Sequence, residues 1–127
     1  MDRTGKYFDV ILKDAHLNWG RKGITNGFPR NRHKLESYIP ICSQVAKELL
    51  LIRGQRFNVY GCDFQLRVSG SQGKDKRYGK NFESAGNLKL LGEHLKQKLH
   101  LYPGSKIRIE WIDSNTINIQ KMWGAIL

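Results

Sequence analysis

"NFESAGNLKLLGEHLKQKLHLYPGSKIRIEWIDSNTINIQ", Asn81 to Gln120, holds a short extended piece around Phe82, then a helix, then two strands. Asn87 is placed to cap the helix, because its side-chain oxygen can accept a backbone N–H that the first turn leaves unpaired. Behind it Leu88, Leu91, Leu95 and Leu99 recur at spacings of three, four and four, which puts them on one helical face. Pro103 and Gly104 end the helix. "KIRIEWI" and "TINIQ" then alternate about the Asp113-Ser114-Asn115 turn, as an antiparallel pair with one buried face does. On that alternation Trp111 faces the core, Glu110 faces outward and Asp113 serves the turn.

The first half of the chain repeats this order. "KYFDVILK", Lys6 to Lys13, is rich in aromatic and β-branched residues and predicts a strand with both faces largely covered. "YIPI", Tyr38 to Ile41, is a short extended piece whose proline, unable to donate to a ladder, suits a sheet edge. Ser43 is the expected N-cap of "QVAKELLL", where Val45, Leu49 and Ile52 share a face with Ala46 and Leu50 beside them. Gly54 is the expected stop, and "RFNVY" and "DFQLRVS" form a strand pair about Gly61. A shift of 50 lays Leu49 on Leu99, Leu51 on Leu101, Gly54 on Gly104, Phe57 on Ile107 and Val59 on Ile109. Such an echo implies a mixed barrel with approximate two-fold symmetry and two equivalent loops.

Charge marks the same two loops. Of a net +11 over 127 residues, windows 21–34 and 67–80 carry +9: ten Lys or Arg against Asp75 alone. Solubility would be served as well by interspersed charge, so the segregation points to an anionic partner. Asn18, Thr25, Asn26, Asn31, Gln72 and Asn81 lie among the cations. Arg and Asn can read base edges in a major groove, whereas Lys and Arg also hold phosphates. Glycines at 20, 23, 27, 70, 73 and 79 let backbone N–H groups approach phosphates closely. Trp19 can stack on a base, although a Trp following a strand more often anchors its loop.

The length fits one domain, 1–127, with a sizeable core. No apolar run approaches the roughly 18 residues a membrane span needs, and no signal-type segment opens the chain, so the expected location is the cytoplasm with Cys42 and Cys62 reduced. Catalytic constellations fail on inspection. His16, His33, His94 and His100 stand at no metal-ligand spacing with the cysteines. His94-x-Lys96 resembles the start of a phospholipase D-type nuclease motif, but the acid expected five positions after the lysine is Leu101. No phosphate-binding loop of the Gly-x-x-x-x-Gly-Lys-Ser/Thr type occurs. The reading is binding without catalysis, cofactor or metal; an RNA-binding barrel, a small nuclease and an acidic-protein interaction module are the alternatives.

"LNWG" followed by basic residues and "YIPI", and then "YGKNFESAGNLKLLGEHLKQKLHLYPGSKI", resemble the DNA-recognition domains of BfiI-type and EcoRII-type type II restriction endonucleases, which are related to plant B3-type transcription factors. The resemblance runs from about residue 6 to 120. It implies a mostly β, mixed α/β fold: a seven-stranded open pseudobarrel with two short helices. It also implies an N-arm, about 18–34, and a C-arm, about 70–82, that enter the major groove of double-stranded DNA and recognise a short sequence. Carried over by position, the contacts are Asn18, Trp19, Arg21, Lys22, Arg30, Asn31, Arg32 and Lys34 in the N-arm, and Gln72, Lys74, Lys76, Arg77, Lys80 and Asn81 in the C-arm. Cleavage in those enzymes belongs to a separate nuclease domain, for which this length leaves no room. The expectation is therefore a recognition domain excised from a restriction endonuclease, or a stand-alone relative.

Overall fold

A computed structural model describes residues 1–18 and 35–122, together with the backbone of 23–25 and 28–30. The chain runs β1 (Tyr7–Ile11), α1 (Asp14–Leu17), β2 (Gly23–Thr25), β3 (Phe28–Arg30), β4 (Ile39–Pro40), α2 (Ser43–Glu48), β5 (Arg56–Val59) and β6 (Gln65–Ser69). It continues with β7 (Asn81–Ser84), α3 (Lys89–Gly92) leading into a π-helical segment (Glu93–Lys98), β8 (Lys106–Asp113) and β9 (Thr116–Lys121). Seven strands form one curled, open sheet in the order β1-β8-β9-β5-β6-β7-β4, a half-barrel consistent with the expected open pseudobarrel, and β2 and β3 pair separately as a hairpin inside the first basic segment.

Alternation builds the core. Ile107, Ile109 and Trp111 of β8 and Ile117 and Ile119 of β9 are buried, and their neighbours are not. Phe8, Phe57, Phe82 and Trp111, each from a different strand, meet with ring centroids 5.5 to 6.3 Å apart. Leu91 and Leu95 close the core from the helical side, as their spacing predicts. Asn87 accepts the Lys89 N–H at 3.0 Å, and Asp113 accepts that of Asn115 at 2.8 Å. Pro40 lies in the edge strand β4, where its missing donor costs no ladder bond.

Several expectations need correction. In the second half the N-cap is Leu88 rather than Asn87, and the helical segment ends at Lys98, before His100 at φ +54°, while Pro103 and Gly104 form the turn into β8 instead of ending the helix. β1 buries only the face it turns to the inside of the curled sheet, as Phe8 shows; on its other face Tyr7 and Ile11 are 53% and 60% exposed. Cys42, not Ser43, is the N-cap of α2, because the ladder bond from Ile41 N–H to the Lys80 carbonyl leaves Cys42 to open the first turn. The helix ends at Glu48 rather than at Gly54. Leu50 takes φ +49° while its N–H bonds to the Lys47 carbonyl and the Leu51 N–H to that of Ala46, the paired closure usually built on glycine. Ile52 thus leaves the helical face and bridges Tyr78. Beyond the two expected helices, the chain adds the single turn α1.

The echo at a shift of 50 is structural. Leu50 and His100 both have positive φ (49° and 54°), and so do Gly54 and Gly104 (92° and 98°). Gly54 N–H donates to the Val68 carbonyl beyond β5, and Gly104 N–H donates to that of Leu12 before β8. The register that pairs β5 with β6, Arg56 with Arg67 through Asn58 with Gln65, recurs between β8 and β1, Lys106 with Ile11 through Arg108 with Asp9. Each half is thus a strand, an arm, a short strand, a helix and a strand. The first strand of each half pairs with the last strand of the other, and the short strands β4 and β7 pair antiparallel between them.

Candidate nucleic-acid interface

The two basic segments spring from equivalent places in the two halves. One leads from β1 to β4, the other from β6 to β7. Because β4 and β7 are antiparallel, with Ile39 opposite Phe82 and Pro40 opposite Asn81, the N-arm returns at one end of this two-residue ladder and the C-arm at the other.

The roots of the N-arm are stitched together. Tyr38 N–H donates to the His16 carbonyl at 3.0 Å, and the Ser37 hydroxyl donates to the Leu17 carbonyl at 2.7 Å. Asn18 donates to Asp14 Oδ1 at 2.7 Å and accepts the Lys96 ammonium at 2.8 Å, so both ends of its amide are engaged at the root. His16 Nδ1 accepts the Lys13 N–H at 2.9 Å, a bond only the neutral ring can make. Burial, and secondarily the Lys13 charge, hold its pKa below the usual histidine value. Of the remaining N-arm candidates, Trp19, Arg21, Lys22, Asn31, Arg32 and Lys34 lie outside the described residues, and Arg30 is placed by its backbone in β3.

The C-arm is laid along the segment that follows α2. Gly79 N–H donates to the Leu51 carbonyl at 3.0 Å, and Arg53 N–H to the Arg77 carbonyl at 2.9 Å. The side-chain amide of Gln72 donates to the carbonyls of Ile41 at 2.6 Å and Gly79 at 3.2 Å, so it pins the arm to the β4–α2 junction. A Cβ on Gly79 would stand 2.1 Å from Val68 Cγ1, and only glycine lets the returning arm run this close to β6. Gly70, at φ +70°, turns the chain out of β6 beneath the Lys80 side chain. Asn81 opens β7 opposite Pro40 and Ser69.

What the C-arm presents is three lysines and one ion pair. Lys74, Lys76 and Lys80 are exposed and form no ion pair among the described residues. Arg77 is clamped by Asp75, whose carboxyl that guanidinium holds down to about 2. Arg67 of the same window is paired across the sheet with the buried Glu83. Outside both windows, the exposed Arg53 lies beside the C-arm in a shallow groove shared with Gly54, Arg67, Ser69 and Gly70.

His94 and Lys96, weighed for catalysis, make contacts within the fold. His94 packs against Cys62 Sγ at 3.4 Å and the Phe64 ring at 6.0 Å, with its pKa lowered by burial and then by Lys98. Lys96 ties down Asn18. Among the described residues, no group of three His, Cys, Asp or Glu is placed to hold a metal, both cysteines are free thiols, and no helix is long and apolar enough to cross a membrane.

Residues 4–120 match the family described as the NgoFVII C-terminal B3-like DNA-binding domain. The chain belongs to that family. The matched span takes in both basic windows and every strand of the half-barrel but the last residue of β9. It is thus a B3-like DNA-binding domain of the restriction endonuclease kind. No curated protein matches the chain.

Proposed function

We propose that this domain binds double-stranded DNA sequence-specifically by setting its two basic arms into one major groove, and that it recognises without cutting, the nuclease domain lying elsewhere in the full-length protein. The observation that carries the reading is the placement of the two basic segments at opposite ends of the β4·β7 ladder, in equivalent positions of a two-fold repeat. Two arms so related can straddle a groove and meet the phosphates of both strands. Lys74, Lys76 and Lys80 supply phosphate contacts on one side, and Arg21, Lys22, Arg32 and Lys34 on the other. Arg30, Asn31, Arg77 and Asn81 are side chains with base-reading chemistry, with Trp19 beside them. Asn18 and Gln72 act at the roots, where they hold the arms.

Selection of bound duplexes from a random pool tests this, followed by competition between the selected duplex, a scrambled duplex and single-stranded RNA of the same sequence. The scrambled duplex should bind roughly 10³-fold or more weakly at physiological salt. Preference for the RNA would replace this reading with an RNA-binding barrel. Nicking of plasmid by the pure chain with Mg²⁺ would overturn its non-catalytic part.

A further inference from the structure

Asp75 is the only acid in the second basic window, and it sits among Lys74, Lys76, Arg77 and Lys80. Its carboxylate takes the Arg77 Nε–H on Oδ1 at 3.0 Å and an Arg77 Nη2–H on Oδ2 at 2.8 Å. The same Oδ1 accepts the Arg77 backbone N–H at 3.2 Å, and the Asp75 carbonyl accepts the Tyr78 N–H at 3.4 Å. Behind them, the Arg77 carbonyl is fixed by Arg53 N–H and the guanidinium lies 5.5 Å from the Tyr78 ring. The backbone and the side-on edge of the guanidinium are therefore both held, while the Arg77 side chain remains 73% exposed.

A guanidinium has five N–H donors in a planar fork. Asp75 uses the side-on pair and leaves the end-on pair, one N–H from each terminal nitrogen, on a side chain that is mostly exposed. That end-on pair matches O6 and N7 of guanine in the major groove. A phosphate contact is the worse fit, since a carboxylate this close cancels the arginine's charge and repels phosphate oxygens. The neighbouring Lys74, Lys76 and Lys80 supply uncancelled charge instead.

We infer that Arg77 is a guanine-reading residue of the C-arm and that Asp75 is the positioning residue that orients it. This rests on the major-groove reading proposed above. Arg77 then determines one position of the target, and the lysines around it set affinity without sequence.

The test is duplex selection from a random pool by the wild-type chain and by Arg77→Ala, Arg77→Lys and Asp75→Asn, each first shown to keep the wild-type thermal midpoint. Asp75→Asn is close to isosteric: its oxygen can still accept the Arg77 backbone N–H, but its amide N–H groups oppose Nη2. The wild-type consensus should contain a guanine whose preference over other bases falls roughly 5- to 150-fold in Arg77→Ala. The same position should weaken in Arg77→Lys and Asp75→Asn, with the rest of the consensus unchanged. An intact consensus in Arg77→Ala, with affinity lowered on every sequence and a shallower salt slope, would make Arg77 a phosphate contact and overturn the inference. An intact consensus in Asp75→Asn would remove the positioning role. Failure of the wild-type chain to enrich any duplex would instead remove the DNA-binding reading beneath it.

Discussion

Gly92 of α3 lies so close to Leu35 that a Cβ on it would stand 1.6 Å from the Leu35 carbonyl oxygen and 2.9 Å from the Ser37 hydroxyl. The helix of the second half thereby seats the returning end of the first half's arm, and Lys96, one turn further on, holds Asn18 at the outgoing end. The C-arm is seated reciprocally by Leu51 and Arg53 of the first half. Each arm is held by the other half of the repeat, so the two cannot be placed independently.

Gly92→Ala should therefore be costly, because the contact is with backbone and cannot be relieved by a rotamer change. Chemical denaturation should show a loss of about 1–3 kcal/mol or more, the usual range for overpacking. Stability equal to wild type would mean that the helix and the arm root separate easily.

Lys74→Ala and Lys76→Ala should leave the thermal midpoint unchanged, since both side chains are exposed and unpaired among the described residues. Affinity should fall to a similar extent on specific and random duplexes. Each substitution should also make the slope of log K against log salt shallower by about 0.9 per lost phosphate contact. Titrations at several salt concentrations measure this directly, and an unchanged slope would take these lysines off the phosphates.

Gln72→Ala strips donors from the carbonyls of Ile41 and Gly79 at the base of the C-arm. Both bonds are part-buried, and a typical hydrogen bond contributes about 0.5–1.5 kcal/mol net. Denaturation should show a loss in that range. The ratio of specific to random duplex affinity should fall while the salt slope is kept, because the arm keeps its charge and loses its placement.

Stability should decline in mild acid. His16 and His94 both have folded-state pKa values held below the ordinary histidine value, chiefly by burial. Below about pH 6.5 the unfolded chain takes up protons that the folded chain resists, so acid favours unfolding. This contribution is intact above that pH and is lost as pH falls toward the lowered folded values. Thermal midpoints should drop between pH 7.5 and 5.5; a flat or rising profile would contradict the neutral His16 at the N-arm root.

Much of the architecture is written in local patterns. The alternation in 106–121 fixes β8 and β9, the leucine spacing fixes the helical face, and the shift of 50 exposes the repeat down to matched positive-φ residues at Leu50 and His100. What escaped was set by tertiary context. β1 has the composition of a strand covered on both faces, yet in this single curled sheet only its inner face meets the core. Leu50 in a left-handed conformation is invisible to propensity, which assigns that role to glycine. The β2–β3 hairpin did carry a signal, Asn26-Gly27 between two short extended pieces, a dipeptide favoured in two-residue hairpin connections. For the site, charge segregation located the C-arm, but not that Arg67 is spent on Glu83, that Asn18 and Gln72 are tied at the roots, or that Arg53 joins the groove. Those depend on cross-strand register and on which segment each arm lies against.

Methylation interference on a selected duplex tests the two-arm, major-groove account most directly. Dimethyl sulfate marks N7 of guanine in the major groove and N3 of adenine in the minor groove, so a single experiment reports on both faces. Interference at guanine N7 within the selected site, with adenine N3 methylation tolerated, is the predicted result. Interference confined to adenine N3 would place the domain in the other groove and contradict it.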